Sequence, residues 1–273
     1  MDEAPVVATE VGRGYRLLSY KSIGSTNSAV MERLRSGDPG QLWITAAEQT
    51  AGRGRRGRVW TAPQGNLSVS LGILVEKPPA MAATIGFVAG LALKLALDDL
   101  FLRAGLEPAH SAKTGKLALK WPNDITLGEA KLAGLLLEAE PIGAGRLGIV
   151  IGWGVNVVAA PEGLPYPAVA IRDAGIDITA AMVLAGLVEQ WPQLYDMWNQ
   201  PDGFDVIRSR WLSHARGLGE RVTVTLGSQV MSGTFETIDA DGRLILNDDR
   251  TGRHAIAAGD VHFGAAATAR RED

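Results

Sequence analysis

Two apolar runs near the middle of the chain, KLAGLLLEAE at 131–140 and RLGIVIGWGVNV at 146–157, limit the architectures open to it. Both read as central strands of a sheet covered on its two faces. Around them the order is mixed α/β, with strands that often follow one another directly. LWITAAEQ (42–49) and LALKW (117–121) read as further strands. In 67–75, Leu67, Val69, Leu71, Ile73 and Val75 alternate with Ser68, Ser70 and Gly72, which predicts a strand with one buried face. Ser25, Thr26 and Asn27 carry the capping chemistry that opens a short helix, and Gly37 closes it. A long helix is expected over 82–104, and two more over 179–198, with a kink at Pro192, and 204–214.

From Gly217 the texture changes to short β-type runs. Turn signals at Leu226-Gly227-Ser228, at Asp241-Gly242 and from Asp249 to Gly252 predict a small β-barrel. The expected division is a large domain over residues 15–214 and a small one over 217–264, with a disordered tail AAATARRED beyond.

Composition removes several classes of function. With 273 residues, 46% of them hydrophobic, the chain can bury one large core and a satellite. It has no cysteine and four histidines, which speaks against disulfides, thiolate metal sites, a cysteine nucleophile and zinc chemistry, so no protein-held metal is expected. The start, MDEAPVVATE, has neither a basic nor an apolar segment of the kind that directs export, which points to the cytoplasm. The apolar stretch 82–97 is interrupted by Lys94 and followed by Asp98 and Asp99, which suits a core helix better than a membrane span.

One segment stands against this ordinary background. Residues 52–58, GRGRRGR, hold four arginines and three glycines in a chain of net charge −3. Gly52-x-Gly54-x-x-Gly57 formally matches a dinucleotide fingerprint, but that motif turns a strand into a helix, and here VWTAPQGNLSVSLGILV follows. A nucleic-acid arm would need more supporting positive charge than four arginines on an acidic protein. A merely solvated loop remains the plain reading, although the glycines suggest a backbone free to wrap around something. Ordering seven free residues costs about 7–14 kcal/mol, and four charge-assisted hydrogen bonds return about 6–12 kcal/mol. The near balance predicts a loop that is mobile until an anion orders it.

Five motifs, taken in order, carry a specific resemblance: STN at 25–27, EQTAGRGRRGRVW at 48–60, KWPND at 120–124, KLAGLLLE at 131–138 and IGWGVNV at 151–157. Together they resemble the biotin protein ligases over about residues 20–160, and the C-terminal β-segment looks like that family's SH3-like domain. The resemblance implies an α/β fold with a large mixed sheet, related to the catalytic domain of class II aminoacyl-tRNA synthetases and of lipoate ligases, plus a small SH3-like β-barrel. It implies that biotin attacks the α-phosphorus of MgATP to give biotinyl-5′-AMP. A lysine of a biotin carboxyl carrier domain, as in acetyl-CoA carboxylase, would then take the biotinyl group. Mg²⁺ is expected only with ATP.

By position, the resemblance assigns biotin to Ser25, Thr26, Asn27, Gln49, Gly52, Arg53, Gly54, Arg55, Lys131, Gly152 and Gly154. It assigns ATP and the adenylate to Arg55, Arg58, Trp60, Asn123, Asp124, Lys131 and Asn156, with Lys131, Arg55 and Arg58 as the catalytic cations. Neutral amides and hydroxyls suit the ureido ring, guanidinium forks suit phosphate oxygens, and Trp60 offers adenine an aromatic face. The plain reading of Lys131 is a surface lysine at a strand start, against which stands the apolar LAGLLLE that follows it, and Gly152 and Gly154 can serve close packing alongside a ligand role. Trp153 stands where a smaller apolar residue is usual, which predicts an altered pocket. Only 24 residues precede STN, too few for a winged helix, so a ligase without DNA binding and without a membrane role is expected, with a homodimer left open. A lipoate or other acyl-adenylate ligase and a non-catalytic biotin-binding module are the rival readings.

Overall fold

The computed structural model describes residues 5–106 and 115–263. The tail expected to be disordered, and residue 264 at the end of the small domain, lie outside the described residues. An eight-stranded sheet forms the large domain: β1 (Val7–Val11), β2 (Tyr15–Ile23), β3 (Leu42–Gln49), β4 (Leu67–Val75), β5 (Leu117–Lys120), β6 (Asp124–Leu127), β7 (Ala130–Gly143) and β8 (Arg146–Val155). Its spatial order is β1-β2-β3-β4-β8-β7-β6-β5. Only β2 and β3 run parallel, joined by helix α1 (Thr26–Arg35), so this crossover brings the start of α1 beside the end of β3. β7 and β8 lie in the interior of the sheet, as their composition predicts.

Helix α1 covers one face. Val30, Met31 and Leu34 pack with Ile44 and Val150 in a small core of their own. A Cβ on Gly72 would come within 2.5 Å of Val30, so glycine is what lets α1 approach β4. The face of β4 expected to be open, Ser68, Ser70 and Gly72, is therefore buried as well.

The opposite face carries α2 (Pro79–Ala83), α3 (Ile85–Arg103), α4 (Ala180–Asn199) and α5 (Gly203–Ser213). The single helix expected over 82–104 divides at Thr84, whose hydroxyl donates to Met81 O at 2.6 Å and accepts from Trp198 Nε1 at 2.8 Å. The helical segment Pro79–Arg103, α2 and α3 together, is long and apolar enough to cross a membrane, yet α3 lies in the main core with Trp191, Ile207 and Trp211 of its neighbouring helices. α4 continues through Pro192.

Five antiparallel strands form the small domain: β9 (Arg221–Leu226), β10 (Gln229–Ile238), β11 (Leu244–Asp248), β12 (Gly252–Ile256) and β13 (Asp260–Phe263), in the order β12-β11-β10-β9-β13. All three expected turns fall between these strands. The two parts are pinned together. Arg216 N donates to Leu119 O at 2.7 Å, Leu119 N donates to His214 O at 2.9 Å, and Trp121 Nε1 donates to Gly242 O at 3.2 Å. Val222, Phe235 and Leu246 join the same apolar cluster as the large domain.

Candidate active site

The arginine segment folds back on itself. Trp60 N donates to Gly52 O at 3.0 Å, Arg53 pairs with Val59, and Gly54 N donates to Arg58 O at 2.7 Å. The result is a small hairpin with a 3₁₀ turn at Arg55–Gly57. At its neck a Cβ on Gly52 would meet Trp60 O at 2.3 Å, which explains that glycine. Arg56 at the turn has φ 56° and ψ 34°, the left-handed region that side chains disfavour.

The hairpin closes over a cavity on the α1 side of the sheet. At one end sit neutral polar groups. Ser25 caps α1 by accepting from Ser28 N at 3.5 Å. Thr26 and Asn27, expected to share that task, instead point inward and are buried. Thr26 donates to Gln49 Oε1 from both its backbone N (2.9 Å) and its hydroxyl (3.1 Å). Ser70 Oγ lies 2.7 Å from Thr26 Oγ1 and 2.6 Å from Asn27 Oδ1. Asn27 Nδ2 donates to Glu138 Oε2 at 2.7 Å. The carboxamide orientation of Asn27 is thus fixed at both ends.

The other end is ionic. Lys131 Nζ lies 2.7 Å from Asp124 Oδ1 and about midway between two aromatic rings, Trp60 and Tyr166, each 5.7 Å away. Asp124 starts β6, directly after Trp121-Pro122-Asn123, where the Trp121–Pro122 peptide is cis. Asn123 is clamped to β7 by Leu135 N donating to its carbonyl at 2.8 Å and its Nδ2 donating to Leu135 O at 2.6 Å.

Every loop arginine meets an acceptor. Arg53 reaches Glu138 and Ser28 Oγ, each at 3.1 Å. Arg55 donates to Asn123 Oδ1 at 2.6 Å, and Arg56 and Arg58 both reach Asp260. The expectation that four unpartnered guanidiniums would keep the loop mobile omitted these protein acceptors. Burial pulls the Arg55 pKa below the ordinary arginine value. Burial opposes ionisation of Asp260, but the Arg58 hydrogen bond and the charges of Arg58, Arg56 and Arg55 outweigh it and hold its carboxyl below the usual range.

Of the residues assigned by position, Ser25, Thr26, Asn27, Gln49, Arg53, Gly54, Arg55, Arg58, Trp60, Asn123, Asp124, Lys131, Gly152 and Gly154 all line this one cavity. Two do not. Gly52 lies in the neck behind it, and Asn156 is buried behind Lys131, where Nδ2 donates to Val169 O at 3.3 Å and braces the segment that carries Tyr166. Gly152 and Gly154 shape the floor by being small. A Cβ on Gly152 would lie 2.2 Å from Asn27 Oδ1, and one on Gly154 2.3 Å from the Trp60 ring. Trp153 also lines the cavity, but alternation along β8 sends its ring to the other face. There its Nε1 donates to Ala89 O at 3.1 Å and the ring stacks on Trp43 at 5.4 Å.

Four contributors escaped the sequence reading: Ser70, Glu138, Tyr166 and Asp260. Ser70 and Glu138 stood inside quoted strands, and a polar residue among aliphatics was the available signal. No local pattern distinguishes Tyr166 or Asp260. Among the described residues there is no group of three or more His, Asp or Glu that could hold a metal ion.

The cavity thus combines a neutral hydrogen-bonding end with a cationic end under a hairpin of guanidiniums. The model of the biotin/lipoate A/B protein ligase family matches residues 19–156, and that of the biotin protein ligase C-terminal domain matches 217–264. A biotin–[acetyl-CoA-carboxylase] ligase of Paracoccus denitrificans is 38% identical over 88% of this chain and 97% of its own. One from Mycobacterium tuberculosis is 34% identical over 92% and 90%. The structure of the biotin protein ligase from Aquifex aeolicus in complex with biotin and ATP superposes with a TM-score of 0.71 over 90% of this chain and 97% of that one, at 25% identity. The chain belongs to the biotin/lipoate A/B protein ligase family and is a ligase with that family's C-terminal domain.

Proposed function

We propose that this protein joins biotin to a lysine of a carboxylase carrier domain in two steps. In the first, a carboxylate oxygen of biotin attacks the α-phosphorus of ATP, the bond to pyrophosphate breaks, and biotinyl-5′-AMP forms. In the second, the carrier amine attacks the acyl carbon, the bond to AMP breaks, and the amine proton leaves to solvent.

The observation that carries this reading is the convergence of Lys131 and the hairpin arginines on the cavity whose far end is Ser25, Thr26, Asn27 and Gln49. The neutral end suits the ureido ring, whose N–H and C=O groups need partners once buried. Lys131 and Arg55 suit the carboxylate and the α-phosphate, where negative charge builds as the new bond forms. Trp60 and Tyr166 suit a flat base. Mg²⁺ would arrive with ATP and neutralise phosphate charge. It keeps several waters and takes few protein ligands, and Asp124, beside Lys131, is the cavity carboxylate that would meet it. A cytoplasmic setting accords with this chemistry.

The lipoate alternative fits less well, because a dithiolane offers nothing to the neutral polar end. The test is pyrophosphate release with MgATP and either acid, followed by mass spectrometry of a carrier domain. Biotin-dependent release and a biotinyl mass increment on one lysine are expected. Release with lipoate alone would overturn the assignment, and biotin binding without release would reduce the protein to a binding module.

A further inference from the structure

The arginine hairpin belongs to the large domain, yet two of its guanidiniums close on a carboxylate of the small one. Arg56 Nη1 and Arg58 Nη2 meet the same Oδ2 of Asp260, at 3.1 and 3.0 Å, and Asp260 itself lines the cavity. An anionic oxygen held between guanidinium forks is also how arginine grips phosphate. We propose that Asp260 is an internal rival of the nucleotide's phosphate oxygens for Arg56 and Arg58, so that the small domain sets how tightly ATP binds. The identity of the anion rests on the ligase reading above, but the competition itself does not.

The two sides of the contact differ in freedom. Asp260 opens β13, whose next residue, Val261, is buried. Phe263 at the other end lies under the Arg216 guanidinium, 4.3 Å from ring to carbon, and a Cβ on Gly217 would come 2.3 Å from its ring. The carboxylate is therefore fixed to the joint between domains. Arg56 and Arg58 are long, half-exposed arms, 43% and 59% accessible, that can leave without moving the neck of the hairpin. Removing the carboxylate also removes a negative charge from the cavity wall. Both effects favour an incoming polyanion.

Asp260→Asn keeps the shape and removes the charge, and Asp260→Glu keeps the charge. Two exposed ion pairs are worth a small factor, so Asp260→Asn should lower the KM for ATP about three- to tenfold while the KM for biotin stays put. Asp260→Glu should stay near wild type. Calorimetry with tripolyphosphate, which needs neither biotin nor turnover, should show the same gain in affinity. Trypsin should cut the free Asp260→Asn protein faster after Arg56 and Arg58. If Asp260→Asn binds tripolyphosphate no better than wild type, or worse, the competition is refuted. A weakened interaction would make the carboxylate an aid to the nucleotide, for instance through Mg²⁺. If Asp260→Asn gains tripolyphosphate affinity but the wild-type protein shows no biotin-dependent pyrophosphate release, the ligase reading fails and the competition stands.

Discussion

The guanidinium of Arg55 donates to the neutral carboxamide of Asn123 at 2.6 Å, whereas Arg53, Arg56 and Arg58 each pair with a carboxylate. Arg55 is also the loop arginine whose pKa burial depresses. It is thus the one of the four with no carboxylate partner within ion-pair distance among the described residues, and it lines the cavity. If Arg55 holds the hairpin down over the acyl phosphate, Arg55→Gly should let the reactive adenylate escape to solvent. Mass spectrometry of an added bystander protein should then find more biotinylated lysines than with wild type. Equal labelling would remove this role.

Lys131 is fixed between Trp60, Tyr166 and Asp124. Lys131→Ala should slow adenylate formation by roughly 10² to 10³, the usual cost of losing a positioned group that stabilises developing charge. Single-turnover pyrophosphate release measures it. An unchanged rate would make Lys131 a structural partner of Asp124 and nothing more.

Gly154→Ala places a methyl group 2.3 Å from the Trp60 indole, which must then leave the floor. Overpacking of this kind costs about 1–3 kcal/mol. Thermal melting should show a modest loss of stability, and titrations should show both biotin and ATP weakened, because Trp60 also forms the neck of the hairpin. A variant that binds both normally would mean that the indole has another resting place.

Acid should loosen the hairpin. Asp260 has a folded-state pKa below its unfolded value, so its ion pairs contribute stability that is fully present above the unfolded pKa, near 3.9, and is lost as pH falls through the folded one. Trypsin acts poorly there, so hydrogen exchange of residues 52–60 is the suitable probe. Exchange corrected for its intrinsic rate should rise below about pH 4 in wild type, and rise less at residues 56–58 in Asp260→Asn, where the Arg53–Glu138 pair still responds to acid. Salt should act in the same direction near neutral pH, because these pairs are exposed and screened.

Legibility in the sequence followed locality. β7 and β8 announced themselves because their apolar runs are long and continuous. β1 did not, since four of its five residues are exposed and it lies at the sheet edge with no apolar face to reveal it. β6, only four residues long and just past Pro122, was too short to separate from its neighbours. Within the site, GRGRRGR and KWPND could be quoted, but composition could not supply their partners. Arg56 meets a carboxylate 204 positions away, and the side to which Trp153 turns depends on the register of β8 against β4. Local chemistry chose which residues would be charged, and tertiary pairing chose what neutralises them.

The parallel crossover from β2 through α1 to β3 has a consequence for divergence. Ser25, Thr26, Asn27 and Gln49 all come from this one unit, whereas the guanidiniums, Lys131 and Asp124 come from the hairpin and from β6 and β7. The neutral polar end and most of the cationic end are thus separate stretches of chain, joined through Glu138, which bonds to both Asn27 and Arg53. On the proposed reading, substitutions confined to residues 25–27 and 49 would change the acid accepted and leave the residues proposed for phosphate untouched, so the crossover would work as a replaceable cartridge in an otherwise constant machine.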